Sequence, residues 1–257
     1  MADASLLHQK LKASSLHVLV SILVLASCSY LLLWLWYPYP YRALSGGSAL
    51  LKLILGIDIV AGPLLTLFVY HPAKRRAALW LDFSVIGLLQ IAALGYGLSI
   101  AASARPVHLV FEKDLFRIAH ANEVRTPSDE PVALPWTGPT LKTAKLPDDV
   151  AARNQILDDA LNKGVFEAYR SELWQPYESA REQVLAAAQP VARLTAASPA
   201  AALSLSELQA DGVDIRRLRY LPVVGRDFAT WTVLLDPDTA LPVIWLPLDP
   251  SATLSNE

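Results

Sequence analysis

The chain has 257 residues, of which 53% are hydrophobic, and its mean hydropathy is +0.33. This is too apolar for an ordinary soluble domain of that length. Residues 1–104 carry seven basic and three acidic side chains, whereas residues 105–257 carry fifteen basic and twenty-one acidic ones. No basic patch is large enough to indicate nucleic-acid binding. Cys28 is the only cysteine, so an intrachain disulfide is excluded.

Three apolar runs are each long enough to cross about 30 Å of hydrocarbon as a helix. They extend over residues 16–36, 49–70 and 80–102. Aromatic residues mark the ends of these runs, where amphipathic rings prefer the membrane interface: Trp34, Trp36, Tyr37, Tyr39, Tyr41, Tyr70 and Trp80. The sequence therefore predicts an N-terminal membrane domain over residues 1–104, built as a three-helix transmembrane bundle.

Basic residues in the short loops predict how this domain is oriented. Five of them precede the first run or fill the second connection, against two at the first connection: Lys10, Lys12, Lys74, Arg75 and Arg76 against Arg42 and Lys52. The excess places the N-terminus and the second connection in the cytoplasm. Three crossings then leave residues 105–257 on the periplasmic side of the inner membrane.

A competing interpretation is a cleaved lipoprotein signal. Leu25-Ala26-Ser27-Cys28 matches a lipoprotein cleavage box behind a basic segment and a short apolar stretch. The apolar run continues without a break through Trp34, however, where a secreted lipoprotein turns polar. We therefore expect Cys28 to lie unmodified within the first transmembrane helix.

Several polar groups lie at membrane depth. Asp58 is near the middle of the second run, where an ionised carboxylate costs about 2.5–3.5 kcal/mol. Gly62 and Pro63 loosen the helix beside it, and Thr66 adds a hydroxyl one turn later. Gln90 in the third run is a candidate hydrogen-bond partner for Asp58. Either Asp58 contacts a partner's transmembrane segment or serves a proton-linked step, or it is satisfied inside the bundle.

The second half predicts a small α+β domain over residues 105–257. Residues 107–111 and 115–118 have the composition of a β-hairpin, and residues 121–147, with five prolines, are predicted as a loop. Asp148 or Asp149 caps a helix that Gly164 closes. Three strands are predicted at the end of the domain: Arg219–Val224, Ala229–Leu235 and Leu241–Leu246.

Two segments between these elements are predicted from spacing and composition. Apolar residues recur at intervals of three and four, which is typical of an amphipathic helix interrupted at Pro176: Phe166, Tyr169, Leu173, Tyr177, Ala180 and Val184. The Ala- and Ser-rich residues 196–204 resemble a linker. In the strand Ala229–Leu235, alternation of Trp231 and Val233 with threonines predicts one buried face.

No catalytic constellation is present in the sequence. Metal-ligand spacing, a nucleophile elbow and a phosphate-cradling glycine loop are all missing. His108 and His120 are expected to make surface or hairpin contacts, and Asp158 and Asp159 are expected on a solvated helix face. The residues alone thus indicate a membrane-anchored periplasmic binding domain, for which we expect no cofactor or metal.

An ordered series of short motifs resembles the TfpX/TfpZ family of type IV pilin accessory proteins. The series runs through Trp36-Tyr-Pro38, Tyr41, Gly56-Ile-Asp58-Ile-Val-Ala-Gly62-Pro63-Leu-Leu-Thr66, Pro72-Ala-Lys74, Asp82, Leu88-Leu-Gln90, Tyr96-Gly97 and Ala104-Arg105-Pro106-Val107-His-Leu-Val110-Phe111-Glu112. The resemblance covers about residues 30–118 and weakens beyond residue 120. His108 and the connection over residues 71–76 depart from the family pattern.

This resemblance implies an accessory protein, or membrane chaperone, that binds a cognate type IV major pilin and modulates pilus assembly or surface display. The residues expected at the partner contact are Asp58, Gly62, Pro63, Thr66, Gln90, Arg105, Pro106 and Glu112. The alternative is a membrane enzyme or transport component that uses Asp58 as a proton-active group. No second intramembrane acid lies beside Asp58 in the sequence to support that alternative.

Overall fold

The computed structural model describes residues 2–71, 74–127, 132–197 and 199–250. Within these ranges, the side chains of residues 2–14, 16, 53, 55, 57–59, 61 and 197 are not described. The chain begins with three long helices and one short one: α1 (Ala2–Tyr30), which continues as a π-helical segment (Leu31–Trp36), α2 (Tyr41–Leu44), α3 (Gly47–Val69) and α4 (Arg76–Ser103).

Two of these helices are long and apolar enough to cross a membrane, judged by length and composition. They are the segment His17–Trp36 and helix α4, Arg76–Ser103. The segment His17–Trp36 agrees with the first predicted run, and helix α4 agrees with the third. Helix α3 forms where the second run is predicted, but its membrane crossing stays a prediction. Cys28 is buried within the continuous helix α1.

Eight strands of the described residues form one mixed sheet behind these helices. The strands are β1 (Pro106–Glu112), β2 (Leu115–His120), β3 (Thr140–Ala144), β4 (Trp174–Pro176), β5 (Gln189–Pro190), β6 (Arg219–Val224), β7 (Thr230–Leu235) and β8 (Pro242–Leu246). Their order is β4-β3-β1-β2-β6-β7-β8, with β5 paired to β6. The pairs β1–β3 and β2–β6 are parallel, and the others are antiparallel.

Four further helices accompany the sheet: α5 (Val150–Lys163), α6 (Arg181–Ala187), α7 (Val191–Ala197) and α8 (Pro199–Ala210). One sheet face carries Phe116, Leu221 and Val233 and is covered by α6. On the opposite face, α7 and α8 pack against Leu234 and Leu246. Because both faces are covered, the central strands are buried almost throughout.

Several predicted elements are confirmed. The hairpin β1–β2 and the three final strands form where the sequence predicts them, with end shifts of a residue or two. Helix α5 has Asp149 as its N-cap, whose carboxylate accepts the Ala152 N–H at 2.7 Å. Gly164 closes the helix with φ +67°, a left-handed conformation that favours glycine.

Three predictions about the intervening segments are wrong. Strand β3 lies inside the predicted loop 121–147, paired with β1. The predicted amphipathic helix is instead a series of 3₁₀ turns, strand β4 and helix α6. The described residues of the predicted linker 196–204 lie in α7 and α8, where Ala201 is completely buried.

Strand β7 is also more buried than its alternation predicts. Thr232 is fully buried, and its hydroxyl donates to the Leu248 carbonyl oxygen at 2.8 Å. The second face of β7 is covered because α7 and α8 pack there, so the threonine hydroxyl needs an internal acceptor.

The connection between the first two long helices enters the core of the sheet. Leu44 is 1% exposed and belongs to the same apolar cluster as Phe116 and Val233, and the Tyr41 ring packs edge-on against Trp245. A Cβ at Gly225 would collide with the Leu44 backbone, so glycine is needed for this close approach. The helices and the sheet thus share one core.

Removing the Leu44 side chain should therefore destabilise the whole chain. Leu44→Ala is expected to lower the free energy of unfolding by about 2–5 kcal/mol, since it leaves a cavity in a closed core. Thermal unfolding of the purified protein in detergent measures the effect. Leu161→Ala, at a leucine that is 76% exposed, is the control and should leave the melting temperature nearly unchanged. Equal melting of the two variants would show that the connection is not part of the core.

Candidate functional site

A groove lies between helices α1, α3 and α4. Its volume is about 480 Å³, and most of its lining is apolar: Val20, Val24, Tyr70, Phe83, Gly87, Ile91 and Leu94. The polar residues His17, Ser21, Thr66 and Gln90 complete the lining. An apolar groove with a few converging polar groups is a typical binding site.

Three of these polar side chains form one hydrogen-bonded cluster. His17 Nε2 lies 2.9 Å from Gln90 Oε1, and His17 Nδ1 lies 2.8 Å from Thr66 Oγ1. Because an amide oxygen only accepts, this arrangement assigns the imidazole proton to Nε2 and lets the Thr66 hydroxyl donate to Nδ1. The imidazole thus links α1, α3 and α4, with a hydrogen-bond partner at each ring nitrogen.

Gly62 makes room for this cluster. It is buried one turn before Thr66 on α3, and a Cβ there would lie 2.7 Å from His17 Nε2 and would also overlap Gln90. Any larger residue would displace the histidine or the glutamine. Gly62, Thr66 and Gln90, three of the residues expected at the partner contact, thus lie together in the structure. Their role in binding a partner stays a prediction.

The remaining predicted helix residues have different outcomes. Pro63 lies inside α3 beside Gly62. The side chain of Asp58 lies outside the described residues, so its predicted bond to Gln90 remains a prediction. His17 was missed as a member of the site, although a histidine one residue inside an apolar run was a visible signal.

Arg105, Pro106 and Glu112 lie apart from the groove. Arg105 follows α4 and donates to the Ala102 carbonyl oxygen at 2.7 Å, while its guanidinium lies 4.7 Å from the centre of the Trp136 ring. Pro106 begins β1 and pairs with His120 in the hairpin. Arg105 and Pro106 therefore connect the end of α4 to the sheet.

Glu112 is buried at the far end of β1. Its carboxylate accepts from Arg117 Nε at 2.5 Å and from the Ala168 N–H at 2.9 Å. Burial raises the pKa of Glu112 above its usual value, although the Arg117 guanidinium and the Ala168 amide oppose this rise. The pair fixes the segment after α5 onto the hairpin.

Of the expected surface or hairpin positions, the surface one is wrong, because His108 and His120 are both buried in the hairpin strands β1 and β2. The His108 ring packs edge-on against Trp174 with 4.3 Å between centres, and its Nδ1 lies 2.8 Å from Thr140 Oγ1. His120 Nδ1 lies 2.6 Å from a Glu123 carboxylate oxygen. They contribute to packing between strands. Within the described ranges, no group of three or more His, Cys, Asp or Glu side chains is placed to hold a metal ion.

Comparison with known proteins gives the family. The family model described as fimbrial assembly protein FimB matches residues 5–46. Two fimbrial assembly proteins of Dichelobacter nodosus, from serogroups E1 and I, are each 32% identical over 233 residues, which is 88% of this chain and 90% of the relative. The chain belongs to the fimbrial assembly protein family.

A further relative, the Dichelobacter nodosus fimbrial assembly protein of serogroups C1 and C2, is 41% identical over 113 residues, or 44% of this chain and 86% of the relative. No solved structure matches the chain. The TfpX/TfpZ family, which the sequence resembles, is related to the fimbrial assembly proteins. That the chain belongs to TfpX/TfpZ itself stays a prediction. The relatives' names describe fimbrial assembly.

The buried His108 predicts a pH dependence of stability in this family member. Burial, with a smaller effect of the Lys142 charge, lowers the pKa of His108 from 6.5 to about 4, although the Thr140 hydrogen bond opposes the shift. Unfolding releases a histidine that binds a proton near pH 6.5, so the stability from neutral His108 is present above that pH and is lost towards pH 4. The loss amounts to up to about 3 kcal/mol.

His108→Gln should keep a hydrogen-bonding group toward Thr140 and remove this titration. The melting temperature of the purified protein should fall less between neutral pH and pH 5 in the variant than in the wild type. His71→Gln, at an exposed histidine, is the control and should melt as the wild type does. An unchanged pH profile in His108→Gln would contradict the assignment.

Proposed function

We propose that this protein is an accessory protein of type IV pilus assembly in the inner membrane. It binds its cognate major pilin before or during assembly, as a membrane chaperone, and so modulates pilus assembly or surface display. The similarity to two fimbrial assembly proteins, which extends over 90% of the length of each, supports the assembly role. The groove between α1, α3 and α4 supports the mode of binding.

The groove has the chemistry expected of a receptor for one more helix. Its wall is apolar, as a transmembrane segment requires, and its polar cluster is satisfied internally by His17, Thr66 and Gln90. A helix can therefore enter without leaving a buried polar group unpaired. A pilin subunit before assembly, with one transmembrane helix and a periplasmic head, fits such a site.

The predicted partner residues divide into two groups in this proposal. Gly62, Pro63, Thr66 and Gln90 shape the groove, and Asp58 is the residue of α3 that we assign to the contact with the partner's transmembrane segment. Arg105 and Pro106 hold the sheet at the end of α4, Glu112 fixes the segment after α5 onto the hairpin, and together they position the sheet for the pilin head. In this proposal they act through internal contacts, since each has partners within the chain.

The proposal includes a topology with three crossings. The N-terminus and the connection after α3 lie in the cytoplasm, because both are rich in basic residues, and the sheet domain over residues 105–257 lies in the periplasm. In the structure, Lys74 of that connection forms an ion pair with Asp82 at 2.8 Å, consistent with an interfacial position of both.

Reporter fusions test this topology. A reporter active only in the periplasm should be active when fused after residue 250 and silent when fused after Arg76. Signals reversed between the two sites would overturn the orientation. Activity at both sites would overturn the crossing by α4.

Filling the groove should weaken pilin binding without weakening the protein. Gly87 lines the groove, and a Cβ there meets open space, so Gly87→Leu projects a side chain into the proposed helix site. Leucine also favours a helix more than glycine does. Co-purification of the pilin from membranes should fall by about tenfold, which corresponds to about 1.4 kcal/mol of lost contact.

Gly95→Leu is a matched control on the same helix. Gly95 likewise has open space at its Cβ but is not among the groove residues. It should retain pilin binding and piliation. If both variants bind pilin as the wild type does, the groove is not the pilin site. If both lose binding equally, the effect belongs to the helix surface in general and the groove assignment fails.

A further inference from the structure

One edge of the sheet lies next to the helix ends. Strands β2 and β6 are parallel, so both finish at this edge, where Arg226 Nη2 donates to Asn122 Oδ1 at 3.3 Å. Gly225 packs on Leu44, in the connection that follows the segment His17–Trp36. The Gly138 N–H also donates to the Leu35 carbonyl oxygen at 2.6 Å. The loops at this edge therefore stand at the level where the first apolar helix ends.

A polar cleft opens among these loops. Its volume is about 450 Å³, and its lining combines cationic and aromatic side chains, including Arg117, Arg125, Lys163, Phe166, Arg226 and Phe228. The Arg117 guanidinium lies over the Phe166 ring at 3.7 Å from its centre. The cleft is large enough for a phosphate group and its immediate substituents.

The charges of this cleft are only partly balanced within the protein. Arg117 pairs with Glu112, and Lys163 pairs with Asp159. Among the described residues, Arg125 donates only to backbone carbonyl oxygens and Arg226 only to the Asn122 amide. The carboxylate of Glu123 is paired with His120. The Arg226 charge also lowers the pKa of Glu123, although the two side chains form no ion pair. Asp227 also lines the cleft, but among the described residues no carboxylate forms an ion pair with Arg125 or Arg226, so these two guanidiniums are open to an external anion.

The loop after β6 holds an aromatic side chain out from the surface. Phe228 is 71% exposed, and its φ of +58° follows the φ of +54° at Asp227. Left-handed backbone costs a bulky residue energy, and such conformations cluster at binding sites. At the same end of the molecule, Trp136 is 66% exposed and packs against Trp36, the last residue of the first apolar helix. Exposed aromatic rings at a helix end are typical of the membrane interface.

We propose that this cleft binds the headgroup of an anionic phospholipid at the membrane surface, with Arg125 and Arg226 on the phosphate and Phe228 in the interfacial layer. The position beside Trp36 and Trp136 favours a lipid over an acidic protein segment, because both ligands would satisfy the arginines but only the lipid uses the aromatic rings. The headgroup would hold the sheet domain at a fixed height over the membrane, independently of a pilin.

The test uses the full chain in nanodiscs of phosphatidylcholine containing a minority of phosphatidylglycerol. After extraction, native mass spectrometry measures the phosphatidylglycerol retained per protein. Arg125→Gln/Arg226→Gln should retain roughly fivefold less for each arginine removed, the factor expected for a cation near an anionic surface. Phe228→Ser, a change at an exposed residue, should also lower retention while both arginines stay in place.

Arg216→Gln/Arg217→Gln is the matched control. It also removes two charges, but it lies before β6 at the opposite end of the sheet, where Arg217 makes an exposed pair with Asp238. It should retain phosphatidylglycerol as the wild type does. Equal retention by the cleft and control variants would overturn the proposal. Loss of pilin binding with unchanged lipid retention in the cleft variant would also overturn it.

Discussion

The burial of Leu44 in the core of the sheet is the constraint on which the rest of the architecture depends. A short helix at the end of a membrane segment would ordinarily lie on the surface. Here its leucine contributes to the same cluster as residues of β1, β2, β6 and β7. Since a buried leucine contributes on the order of 2 kcal/mol or more, the helices and the sheet cannot reorient independently without exposing that surface.

Other contacts at this junction act in the same direction. The Tyr37 hydroxyl is buried and donates to the Ala101 carbonyl oxygen at 2.9 Å, which ties the end of the first helix to the end of α4. Arg105 then bridges α4 and the Pro135 carbonyl oxygen. Burial raises the pKa of Tyr37 to about 12 even though Arg226 and Arg105 oppose it, so the hydroxyl remains a donor over the whole physiological range. At this junction the end of the first helix is therefore fixed to α4, and α4 is fixed to the loop before β3.

Elements with local signals are predicted well from the sequence. Helix α5 carries its own start and stop at Asp149 and Gly164, and the hairpin has apolar runs around a short turn. Strand β3 has only two apolar residues, and its partner β1 lies about thirty residues away in the chain, so its pairing has no local signal. Residues 166–184 have helical spacing, but Trp174 donates to the Ala168 carbonyl oxygen and Tyr177 to that of Ala240, which fixes turns instead.

The candidate site shows the same division between local and distant information. Gly62, Thr66 and Gln90 could be selected because polar or small residues at membrane depth are costly or purposeful. Their neighbour His17 carries the same signal, a polar residue inside an apolar run, but its bonds to Thr66 and Gln90 depend on how three helices pack. The wrong linker prediction at residues 196–204 has a local cause instead. Alanine is the best helix former, so the alanine-rich composition already indicated a helix there.

The groove cluster and the sheet lie far apart along the helices. From Gln90 to Ser103 the chain runs thirteen residues, and from His17 to Trp36 it runs nineteen, which correspond to roughly 20 to 30 Å at 1.5 Å per residue. A soluble ligand bound at the sheet cannot reach the groove, and a lipid-sized molecule in the groove cannot reach the sheet. An occupant that uses both surfaces must therefore extend along the helices over that distance, which the proposed partner, a transmembrane helix with a folded head, would do.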